Sequence, residues 1–86
     1  MAFVGNNISM SGNWEKLREV PARRESVRQL NILNAAGNGD VTFSHDGSTV
    51  AGVLVAGQGF QFLNVTPEEV WINGTATQVL YWAACL

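Results

Sequence analysis

Charge is what this sequence has least of. Asp, Glu, Lys and Arg make up 14% of its 86 residues, against about 25% in an average soluble domain. No Lys or Arg follows Arg28. A chain of 9.3 kDa folds to a surface of roughly 5,000 Å², so wide areas of that surface carry no charge. The five cations, Lys16, Arg18, Arg23, Arg24 and Arg28, share their stretch with Glu15, Glu19 and Glu25. That mixture makes no phosphate-binding stripe, and direct nucleic-acid binding is not expected. The single cysteine, Cys85, excludes an internal disulfide. The single histidine, His45, leaves no Cys/His set for zinc and no paired nucleophile and base. No apolar run approaches the ~20 residues of a membrane-spanning helix, and the first residues lack the pattern of a signal peptide. Synthesis in the cytoplasm is the expectation, with no membrane partner.

What is present is segregated. Residues 1–28 hold five positive and three negative charges, and residues 29–86 hold four negative and none positive. Such a split suggests that one part docks on a surface of different charge. Hydrophobic residues reach 47%, an ordinary share, so the shortage lies in the surface. Such a surface is either covered by another molecule or built from Asn, Gln, Ser, Thr and Gly, and the first is the expectation, because the candidate exposed aromatics add to it.

Residues 1–13 are rich in Gly, Asn and Ser without a clear period, and Pro21 disfavours helix before it. Residues 1–26 therefore read as an extended docking arm, with Trp14 in need of a pocket. From Val27 the pattern alternates with the period of two expected of strands. "SVRQLNIL" sets Leu30 and Ile32 against Gln29 and Asn31, and "DVTFSH" sets Val41 and Phe43 against Thr42 and Ser44. "TVAGVLVA" is a short apolar run expected to be buried on both faces, with Gly52 marking a bulge or a close approach. "FQFLNV" follows, then a single turn opened by Thr66-Pro67. "EVWI" and "TATQVLYWAA" flank Asn73-Gly74 and predict a closing hairpin. The prediction is an all-β domain over residues 27–86: an antiparallel β-sandwich or small β-barrel of about six strands. In the last strand Val79, Tyr81 and Ala83 share one face and Leu80, Trp82 and Ala84 the other. Both faces are apolar, so this strand is central in its sheet or covered by another subunit.

No catalytic set emerges, and an enzyme is not expected. Asn38, Asp40 and Asp46 lie where turns enrich such residues, and they read as turn residues rather than calcium ligands. No glycine pattern points to a nucleotide, so no metal and no cofactor is predicted. The candidate contact residues are Trp14, Arg23, Arg24, Arg28, Trp71, Tyr81 and Trp82. Aromatics and arginine are the residues favoured at interfaces. The aromatics among them could instead stack on a glycan.

The stretch from about Arg24 to Trp82 resembles small virion proteins of tailed bacteriophages. The likeness lies in "RRESVRQLNILN", "GDVTFSHDG", "VLVAGQGFQF" and "VWINGTATQVLYW". It implies a compact oligomeric β-domain acting on a capsid or tail as a cement, knob or attachment unit. The expectation is a virion protein made in the host cytoplasm. It would form a homo-oligomer, a trimer for preference, with capsid or tail proteins as partners and a glycan as the alternative ligand.

Overall fold

The computed structural model describes residues 3–17 and 27–85. They form eight strands: β1 (Phe3–Ser9), β2 (Glu15–Lys16), β3 (Val27–Asn34), β4 (Val41–Ser44), β5 (Val50–Leu54), β6 (Gly59–Val65), β7 (Trp71–Asn73) and β8 (Val79–Cys85). A single 3₁₀ turn, Pro67–Glu69, separates β6 from β7. Proline opens it, with its ring at a position where no N–H is needed, and Thr66 makes no side-chain cap.

Two four-stranded sheets result. Sheet A has the order β1-β8-β3-β6 and sheet B the order β2-β7-β4-β5. Every pairing is antiparallel. Successive strands mostly alternate between the sheets, which is the winding of a double-sheet jelly roll. Of the two predicted architectures this is the sandwich, since among the described residues the two sheets share no strand pairing and each keeps two unpaired edges.

The six expected strands are β3 to β8. The other two come from the stretch read as an arm. β1 pairs with β8 from Phe3↔Cys85 to Ser9↔Val79, and β2 pairs with β7. Residues 3–9 and 15–16 thus belong to the sandwich rather than to a separate docking segment. The cause lies in β8. Its two apolar faces require a central place, and β1 and β3 flank it. Val4 and Ile8 of β1 alternate inward onto the core. Arg23 and Arg24 lie outside the described residues.

The closing hairpin is also corrected. β7 lies in sheet B and β8 in sheet A, so Asn73-Gly74 begins a crossing between sheets. A Cβ on Gly74 would run into Met10 Sδ and press on Val41, so the crossing packs tightly on the core. It then turns at Thr75–Gln78, where Gln78 N donates to Thr75 O at 3.1 Å.

Leu17, Leu30, Ile32, Leu54, Ile72 and Leu80 are the largest fully buried apolar side chains. Phe43 of sheet B meets Phe60 and Phe62 of sheet A at centroid distances of 4.7 and 5.6 Å, joining the sheets on the β5/β6 side. Gly52 is the close approach expected of it: a Cβ there would collide with the Phe43 ring. Asn34 is fully buried and pins the sheets at one end. Its Nδ2 donates to Gly39 O and Leu54 O, both at 3.0 Å, and its Oδ1 accepts from Asn38 Nδ2 at 3.0 Å. A buried amide so fully paired has no desolvation cost left uncompensated.

Candidate assembly surface

The predicted contact residues do not form one patch. Trp14 is half-buried in the link between β1 and β2. Trp71 is half-buried on β7, packed on Gly47, with Lys16 Nζ 5.2 Å from its ring centroid. That distance is within the range of a cation–π contact. Arg28 is exposed on β3. Tyr81 is exposed on the outer face of sheet A, paired with Leu33 of β3 and Asn7 of β1.

Trp82 is a correction. It is 5% exposed and belongs to the core. Alternation along β8 turns Tyr81 outward and Leu80, Trp82 and Ala84 inward, between the sheets. Among the described residues no group accepts a hydrogen bond from its buried Nε1.

What the sequence reading missed is a set of large apolar residues at one side of the sandwich. Val50, Val53, Val55, Phe60 and Leu63 are each 44–67% exposed. They belong to β5, β6 and the turn between them, the edge strands at the same side of both sheets. The run "TVAGVLVA" is therefore an open edge, and only Leu54 within β5 is buried. The signal that could have found it is the absence of any Asp, Glu, Lys or Arg between Asp46 and Glu68. Natural edges are usually blunted by charge, proline or brevity, and β5 and β6 carry none of the first two.

Apart from Arg28 at the start of β3, sheet A carries no charged residue. Register places Gly5 and Asn7 of β1, Tyr81 and Ala83 of β8, Gln29, Asn31 and Leu33 of β3, and Gln61 and Leu63 of β6 on that face. Small residues at its centre leave a shallow groove of about 230 Å³ beside Asn31, Leu33, Tyr81 and Ala83. A second hollow of about 190 Å³ opens near Phe43, Phe62, Val65 and Val70, with His45 and Glu69 on its lining.

Among the described residues no three of His, Cys, Asp and Glu lie together as a metal set. No helix there is long and apolar enough to cross a membrane. Asp46 is a turn residue. Its Oδ1 accepts from Thr49 N at 2.8 Å, Ser48 N at 2.9 Å and Ser44 Oγ at 2.9 Å. Those bonds, the backbone N–H of Thr49 first, hold its carboxyl well below the usual carboxylate range.

No family model matches the chain, and no curated protein does. Among solved structures, one similar fold is a protein of Bacillus endospore appendages, described as a novel family of disulfide-linked pili. It shares 18% identity at a TM-score of 0.56, over 99% of this chain and 86% of that one. A de novo designed double-stranded β-helix aligns over 99% of this chain and 97% of its own, at 15% identity and a TM-score of 0.46. The first match shows a shared sandwich fold.

Proposed function

We propose that the chain is a non-catalytic structural subunit that works by packing against copies of itself in an extended surface assembly. One observation carries the reading: the uncharged β5/β6 side, where five large apolar residues stand 44–67% exposed. A free monomer in water gains nothing from such a side, and an assembled subunit buries it. The fold shared with a pilus protein of Bacillus endospore appendages supports a fibre as the setting. In that setting the partner is a second copy and the location is outside the cell.

A virion is the second setting. The sequence resemblance to phage virion proteins favours it, and jelly rolls recur in viral capsid domains. There the subunit would sit on a capsid or tail, as a closed trimer. The glycan alternative is weaker on this structure. Trp82 is in the core and Trp14 and Trp71 are half-buried, so of the four aromatics predicted as contacts only Tyr81 is an open stacking ring.

Size-exclusion chromatography with light scattering, run across the micromolar range, tests the proposal. The expected mass exceeds one chain and grows with concentration, and electron microscopy of the heavy fractions shows fibres or particles. A single-chain mass at every concentration overturns the reading.

A further inference from the structure

We infer that sheet A is the element that propagates the assembly: β6 of one copy adds to β1 of the next, antiparallel, in an open head-to-tail row. The inference rests on the self-assembly reading above and names its contact.

Length and charge distinguish the two sheets. The edges of sheet A are β1 and β6, seven residues each. "FVGNNIS" and "GFQFLNV" contain no charged residue and no proline. The edges of sheet B do not match. β5 has five residues, while β2 has two, Glu15 and Lys16, both charged. A short charged edge is blunted against pairing, and a long uncharged one is a template for it.

Direction fits. With each neighbour antiparallel in the order β1-β8-β3-β6, the two edge strands run oppositely. A copy shifted sideways therefore presents its β1 antiparallel to β6 of the first.

Face fits as well. Met10 N donates to Gln78 O at 2.8 Å, so in the β1–β8 register the residues bonded to β8 are Ile8, Asn6 and Val4. The backbone groups of Gly5, Asn7 and Ser9 then face the free edge, where Asn7 N donates to Asn6 Oδ1 at 2.8 Å, a local bond that an incoming strand would replace. On the other side Asn34 N donates to Gln58 O at 2.9 Å. In that register Phe60 and Phe62 bond to β3, and Gly59, Gln61 and Leu63 turn their backbone groups outward. Both outward sets carry their side chains on the outer face of sheet A. Residues opposite each other in an antiparallel pair share a face, so the join keeps the outer face continuous. Had the parity differed, successive sandwiches would have had to flip. A contact between two different edges is heterologous and builds an open row unless the rotation per copy closes a ring.

The test uses the full chain with Gln61→Pro and, separately, Asn7→Pro. Each removes an edge-facing N–H and leaves the internal ladder whole, a placement that edge strands accept. Circular dichroism and a thermal melt confirm folding. Each variant alone is expected at single-chain mass. An equimolar mixture is expected to form a dimer, because the first still offers β1 and the second still offers β6. If a proline variant does not fold, Leu63→Lys and Asn7→Lys make the same comparison. A wild-type chain that stays single overturns the self-assembly reading itself. A wild type that assembles, with variants that assemble equally well, overturns only the edge contact. Folded variants that fail both alone and mixed overturn the head-to-tail arrangement.

Discussion

At the residue scale, the two neighbours Tyr81 and Trp82 show how one step along a strand separates surface from core. Tyr81 is open on sheet A and Trp82 is packed between the sheets. Truncating a buried tryptophan costs about 3–5 kcal/mol, a large part of the roughly 4–13 kcal/mol that holds a chain of this length folded. Trp82→Ala is expected to lower the urea midpoint sharply. Trp82→Phe should cost clearly less than the Ala variant, because it leaves a smaller cavity and also removes an indole N–H that no group among the described residues accepts. A Phe variant as unstable as the Ala variant would show that the N–H has a role in the core. Asp46 gives a pH prediction. Its folded-state value is lowered, so its contribution is fully present above the unfolded value near 3.8 and is lost as the pH falls through the folded one. Melting temperature should be insensitive to this group from neutral pH down to about 4, then fall, and Asp46→Asn should remove that acid-side fall.

At the element scale, β1 is the decisive strand. Read as an arm, it is dispensable to the fold. Read as the flank of β8, it is not, because its loss exposes the backbone of a central strand and uncovers one side of Leu80, Trp82 and Ala84. A chain lacking residues 1–9 is therefore expected to lose cooperative unfolding. A truncated chain that melts as sharply as the full one would restore the arm. The strand escaped a sequence reading because Gly5, Asn6 and Asn7 dilute its alternation. Val4 and Ile8 alone mark its inward face. β5 misled in the opposite sense. A run of apolar residues reads as doubly buried, yet position at the sheet edge leaves Val50 and Val53 in the open.

At the scale of the whole molecule, the folded surface is 4811 Å², close to what the chain's mass predicts, so this chain packs as an ordinary small domain. Its departure from the ordinary is where the charge lies. β5, β6 and β1 are free of it, and the described cations are Lys16 and Arg28. Association through uncharged edges should respond weakly to salt, since screening acts only on charges. Fibre or oligomer mass is expected to hold as sodium chloride rises from low to high concentration, measured by light scattering. Dissociation by salt alone would shift the contact to the cationic stretch that ends at Arg28.

The amino-acid order alone determined the all-β class, six of the eight strands, most of their inward faces and the poverty of charge. Those are local properties, written in alternation, turn residues and composition. Tertiary structure decided the rest: which strands are central and which are edges, that Trp82 is core, and that β7 and β8 part into different sheets. The physical reason is that a strand's two neighbours come from distant parts of the chain. Whether an apolar side chain meets water depends on those neighbours, and no local pattern encodes them.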